Sequence, residues 1–254
     1  MLLKDKNAVI YGAGGNIGSA VARAFARDGA KVFLAGLTLP KLEALVEEIS
    51  VAGGIAEAAQ VDALDPEAIE QHLDEIVKNE GSIDITFNAI WIRGDLQGTP
   101  LIDMTLENFT TPVLTGVRTH FLTATAAARH MVQRKSGVIL TLSSSAAALS
   151  GRDRRYHLTG GFSTACAAIE ALSRSLAGEL GPQGIRVVCL RPDAIPETWP
   201  EDHIESRTYM ENGTLLGRLP TLDQVAGAAV FMASDRASAM TGAIANLTCG
   251  SVID

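Results

Sequence analysis

Tyr11-Gly12-Ala13-Gly14-Gly15-Asn16-Ile17-Gly18 is the stretch on which the fold turns. It follows a strand-like apolar run, Asn7 to Tyr11, and opens onto a segment with helical spacing through Ile17, Val21, Ala24 and Phe25. A second strand-like run, Lys31 to Ala35, closes the unit. Glycines carry no Cβ, so their amides can come close to a phosphate, and the start of the helix offers unpaired N–H groups to negative charge.

The same alternation continues outward. Leu42, Leu45, Val46 and Ile49 form an i, i+3, i+4, i+7 stripe stopped by Gly53-Gly54, and Ile55 to Val61 reads as the third strand. Asp65-Pro66 places a capping carboxylate before a proline at the first helical position, and Ile69, Leu73, Ile76 and Val77 carry the stripe. Strands follow at Ile83 to Asn88, Val138 to Leu142, Ile185 to Leu190 and Ala243 to Leu247, with a long helix running to about Arg134 and another over Phe162 to Leu180. No Ser/Pro-rich linker, low-complexity tract or internal repeat interrupts the series. These spacings predict one doubly wound α/β domain over residues 1–254, a mostly parallel sheet of about seven strands with helices on both faces.

Composition narrows the partners. At 254 residues and 47% apolar content the chain can cover both faces of a sheet. Asp and Glu outnumber Lys and Arg 29 to 21 without any basic block, which argues against nucleic acid or an anionic membrane and for a small soluble ligand. A strand-like run begins by residue 7 and no stretch has the ~18 consecutive apolar residues of a membrane span, so a cytoplasmic protein is expected. Cys166, Cys189 and Cys249 are odd in number and far apart, which indicates free thiols, and the five histidines lack metal-ligand spacing.

From Ala8 to Gly250 the chain resembles the short-chain dehydrogenase/reductases. Tyr11 to Gly18 is similar to the family's Thr-Gly-x-x-x-Gly-x-Gly turn, with Tyr11 and Asn16 replacing the threonine and the middle glycine. Val61-Asp62-Ala63 resembles the strand end whose aspartate binds the adenine amino group, and Asn88-Ala89 stands in the family's Asn-Asn-Ala-Gly strand. Gly184 to Val188, Arg191-Pro192-Asp193, Leu216 to Leu219 and Thr241-Gly242-Ala243 are similar to its C-terminal half. The resemblance implies a Rossmann-type fold binding NAD or NADP through Gly12, Gly14, Gly15, Asn16, Ile17, Gly18, Thr38, Asp62, Ala63, Asn88, Ala89 and Ile195, with a substrate lid at roughly 194–216. Blander readings stay open for some of these: Asp62 can simply end a strand, and Asn88 can be a buried backbone bridge. Ala35-Gly36-Leu37-Thr38 holds neither the acid of NAD-preferring members nor a base for the extra phosphate of NADP, so the preference is not legible.

The family's catalytic tyrosine and lysine stand four residues apart on one helix face, the lysine lowering the tyrosine pKa. Registered from Ala167-Ala168, Leu172, Ser175-Leu176-Ala177 and Glu179-Leu180, those positions here are Phe162 and Cys166. The family's serine is kept as Ser144, whereas its asparagine falls near Gly116 or Val113. General acid–base assistance is worth about 10²–10⁴ in rate, so ordinary catalysis at this site is not expected. A substitute acid is available in sequence: Tyr156 lies in an enlarged segment, Ala146 to Gly161, with Arg152, Arg154, Arg155 and His157, although such a charged loop is commonly just solvated.

Two functional classes follow. The first is an oxidoreductase of unusual mechanism, with Ser144 and Tyr156 as its catalytic candidates. Trp91, Trp199, Tyr209 and Met210 suggest that it takes a small apolar or aromatic carbonyl or alcohol. The second is an inactive dinucleotide-binding or partner subunit, and a non-redox enzyme on the same scaffold comes third. The resemblance further implies a homo-oligomer, a tetramer by preference, assembled through the helices flanking the site. The small-residue run Thr123 to Ala128 would allow close helix approach there.

Overall fold

The computed structural model describes residues 1–149, 157–199 and 204–254. Seven strands form one sheet: β1 (Asn7–Tyr11), β2 (Lys31–Gly36), β3 (Ile55–Gln60), β4 (Ile85–Asn88), β5 (Gly137–Leu142), β6 (Ile185–Pro192) and β7 (Ile244–Leu247). Their order is β3-β2-β1-β4-β5-β6-β7 and every pairing is parallel. The helices are α1 (Asn16–Arg27), α2 (Leu39–Val51), α3 (Pro66–Glu80), α4 (Leu106–Arg134), α5 (Gly160–Leu180), α6 (Ile204–Asn212) and α7 (Leu222–Ala233).

Strand alternation sends successive side chains to opposite faces. Ala8 and Ile10 of β1 enter one core with Val21 and Phe25 of α1, Leu42 of α2 and Ala229 of α7. Val9 and Tyr11 enter the other, with Leu73 of α3, Ala127 of α4 and Leu176 of α5. Both faces are therefore dry, as a parallel sheet requires. The capping carboxylate of Asp65 accepts the Glu67 and Ala68 amides at 2.9 and 3.2 Å, and Gly81 ends α3 in the left-handed region. The strand order reverses between β1 and β4, which opens a crevice at their carboxyl ends.

Candidate active site

The glycine turn sits at that crevice. Gly12 has φ +73°, and a Cβ there would lie 2.6 Å from the Ala89 carbonyl oxygen. A Cβ on Gly18 would collide with the Gly12 carbonyl. Gly15 is the N-cap of α1 and no side chain caps that end, so its first amides are left for an anion. The two missing Cβ atoms let the turn pack directly on the backbone of Ala89 and of Gly12 itself, and the uncapped helix start suits a dinucleotide pyrophosphate. A Cβ on Gly14 would meet Lys41 Cβ and Leu42 Cδ2 of α2, each at 3.6 Å, so the start of α2 packs against the turn.

The other dinucleotide candidates line the same strand ends. Asp62 is exposed and its Oδ1 accepts the Leu64 amide at 2.9 Å. The Asn88 side chain donates to Thr123 Oγ1 at 3.0 Å and accepts the Ile90 amide at 3.0 Å, tying β4 to α4 as a buried bridge. Ala89 faces Gly12, Ala63 and Ile195 are buried, and Thr38 is the N-cap of α2 without a side-chain bond.

Phe162 and Cys166 stand on α5 in an apolar cluster with Ile92, Ala165, Ile169 and Cys189. Burial above all, with Cys189 and Glu170 nearby, pushes the Cys166 thiol far above its ordinary pKa, so it is neither nucleophile nor cation. Gly116 completes this wall: a Cβ there would lie 3.3 Å from both Ile92 Cγ2 and Ile169 Cδ1. The volume that an asparagine would need is filled with hydrocarbon. One turn on, His120 is fully buried, its Nδ1 2.9 Å from the Gly116 carbonyl and its Nε2 3.4 Å from the Leu142 amide. Both contacts are hydrogen bonds only if the imidazole is neutral with its proton on Nδ1. Burial holds its pKa down at about 4.

Ser144 survives at the end of β5, half-buried, with its hydroxyl 3.4 Å from the Ala146 amide. Its two neighbours are anchored more firmly. Ser143 donates to Glu170 Oε1 at 2.8 Å, and Ser145 donates to Asp193 Oδ1 at 2.7 Å. Glu170 is in turn held by Arg191, and Arg191 by Asp254; Asp193 also accepts the Ser251 hydroxyl. The C-terminal segment thus braces the serine loop through two buried carboxylates. Sequence reading did not single out either carboxylate, because the partners are 27 and 48 residues away in the chain.

Tyr156 and the arginines at 152, 154 and 155 lie outside the described residues. His157 does not: its ring is 6.2 Å from that of Tyr209. Together with Leu149, Asp193, Met210 and Ser251 they line a cavity of about 250 Å³. Trp91 is mostly exposed, with the Arg93 guanidinium 5.7 Å from its ring. Trp199 is half-buried. Among the described residues, no group of three His, Cys, Asp or Glu could hold a metal ion.

The family model described as enoyl-(acyl carrier protein) reductase matches residues 12–251. An L-rhamnose 1-dehydrogenase (NAD(P)(+)) of Azotobacter vinelandii is 34% identical over 250 residues, 96% of this chain and 95% of that protein. A probable galactose dehydrogenase of Rhizobium meliloti is 33% identical over 94% of this chain and 92% of its own length. A crystal structure of a short-chain type dehydrogenase/reductase from Mycobacterium marinum superposes with a TM-score of 0.88 at 31% identity, covering 99% and 97% of the two chains. With the parallel sheet, the glycine cradle and these likenesses together, the chain belongs to the short-chain dehydrogenase/reductase family.

Proposed function

We propose that the chain is a nicotinamide-dinucleotide-dependent oxidoreductase that works without the family's tyrosine–lysine pair. The carrying observation is a contrast within one site. The tightly folded Gly12–Gly18 turn leaves the start of α1 uncapped for a pyrophosphate, while Gly116, Phe162 and Cys166 belong to an apolar wall that offers no proton. When bound, the dinucleotide supplies hydride. The protein contributes placement, with Asp62 and Ala63 toward the adenine, Thr38 toward the ribose, and Asn88, Ala89 and Ile195 toward the nicotinamide half. Ser144 orients the reacting group. The 194–216 segment, which includes α6, serves as the lid over a small substrate with an apolar or aromatic part, received by Met210 and Tyr209.

The same hydrocarbon wall favours a second reading, a dinucleotide-binding subunit with no turnover. Titrating NADH and NADPH by fluorescence and then adding a carbonyl panel separates the two. Binding followed by dinucleotide oxidation supports the first; binding without it, for every substrate, supports the second; no binding sinks both.

A further inference from the structure

Asp193 follows β6 directly, at the carboxyl end of the sheet where ligands of such folds sit. It is 7% exposed, and its carboxylate accepts hydrogen bonds from Ser145 Oγ at 2.7 Å, the Ala194 amide at 2.8 Å and the Ser251 hydroxyl. All three donors are neutral, and among the described residues no lysine or arginine pairs with it, although buried charges are normally paired. The one nearby guanidinium in sequence, Arg191, is committed to Glu170 and Asp254. Asp193 forms part of the cavity wall, beside Leu149, Met210 and the Tyr209 ring. His157 lines the same cavity, its ring 6.2 Å from that of Tyr209. Three fixed hydroxyl and amide dipoles hold the carboxylate in place, in a cavity whose wall mixes Leu149, Met210 and the Tyr209 ring with Asn212 and Ser251. A carboxylate beside an aromatic ring suits a small organic cation.

The chemistry at Phe162 and Cys166 then selects which cation. A carbonyl accepting hydride becomes an alkoxide and needs a proton, which Phe162 and Cys166 cannot give. A cationic C=N group needs none. Resting on the oxidoreductase reading above, we propose that the substrate is a small iminium ion, with Asp193 as its counter-anion. In that step the reduced nicotinamide's C–H bond breaks and a C–H bond forms at the iminium carbon. The C=N π pair becomes the nitrogen lone pair, so the products are a neutral amine and the oxidised dinucleotide, with no proton taken up.

The test uses N-methyl-dihydroisoquinolinium, a permanent iminium cation, and a tetralone of the same bicyclic shape but neutral. Calorimetry on the whole protein, with and without NADPH, reads affinity; absorbance reads NADPH oxidation. The cation is expected to bind at least about tenfold more tightly than the ketone. Asp193→Asn should erase that preference while leaving the affinity for NADPH unchanged. NADPH should be consumed with the cation and not with the ketone. Equal affinity of the wild-type protein for the two compounds, or a preference that persists in Asp193→Asn, overturns the cation site, and the wild-type comparison stands even if the variant fails to fold. Selective cation binding without NADPH consumption overturns the hydride step. Failure to bind NADPH at all, with the cation still preferred, strikes the oxidoreductase reading and leaves the cation site standing.

Discussion

Glu170 and Arg191 meet side-on beneath the serine loop, Nε to Oε1 at 2.7 Å and Nη2 to Oε2 at 2.8 Å, with both side chains only 6% exposed. This two-pronged pair joins α5 to β6, and the Ser143 hydroxyl rests on the same carboxylate. The stability of the serine loop is thereby tied to a buried charge. Removing one partner strands the other, whereas removing both restores neutrality.

Arg191→Met is therefore expected to destabilise the fold by about 3–5 kcal/mol, and the Glu170→Leu/Arg191→Met double variant by clearly less. Urea midpoints measure both. A single variant as stable as the wild type would show that the pair is not the anchor.

His120 makes stability depend on pH. Its folded pKa of about 4 lies below the ordinary 6.5, so between those values the unfolded chain binds the extra proton. Its contribution is complete above the unfolded value and is lost as pH falls toward the folded one, at most about 3 kcal/mol in all. From neutrality down to about pH 5, before most carboxylates titrate, the wild type should lose stability more steeply than His120→Gln. Parallel curves would refute this.

Gly12→Ala should raise the dissociation constant for either dinucleotide at least about tenfold, because the new methyl strikes the Ala89 carbonyl and the left-handed backbone resists a side chain. Fluorescence titration reads it, and circular dichroism establishes that the variant is folded. Unaltered affinity would place the pyrophosphate elsewhere.

Selectivity between NADH and NADPH should be weak, within about tenfold, since exposed Leu37 replaces any acid at the end of β2 and Lys41, whose stem packs beside the turn, is the lysine of the adjoining helix start. Lys41→Glu is expected to weaken NADPH binding more than NADH binding. A wild-type preference above about a hundredfold for either would contradict this.

Assembly is expected through the outer face of α4. The run from Thr123 to Ala128, which the sequence suggested for helix approach between subunits, is largely spent inside the protomer, with Thr123, Ala124 and Ala126 to Ala128 all buried. Beyond Leu106 at its first turn, the large apolar side chains α4 shows outward are Leu114 and Phe121, two turns apart and 57% and 50% exposed. Light scattering should find a homo-oligomer for the wild type and a monomer for Leu114→Asp/Phe121→Asp. A wild-type monomer at micromolar concentration would end the proposal.

The elements were written in local spacing. Apolar runs of strand length, Asp65 before Pro66, and the glycine turn each act over a few residues, so β1 to β7 were legible within two residues at their ends, whereas the two helices between β6 and β7 were not read from the sequence. Phe162 and Cys166 could be read as well, because a helix register is local. The sequence alone therefore determined the fold and where the glycine turn, Phe162 and Cys166 fall in it. Tertiary structure decided what packs around them. Ile92 and Ile169 close the space at Gly116 across three elements of the chain. Ser251 reaches Asp193 from 58 residues away, and Asp254 reaches Arg191 from 63. Pairings of that span leave no periodicity behind, since they depend on which strand ends the sheet brings together. A buried carboxylate facing a cavity is a property of the packed molecule, whereas in the sequence Asp193 was only the end of a stretch, Arg191-Pro192-Asp193, that resembled the family.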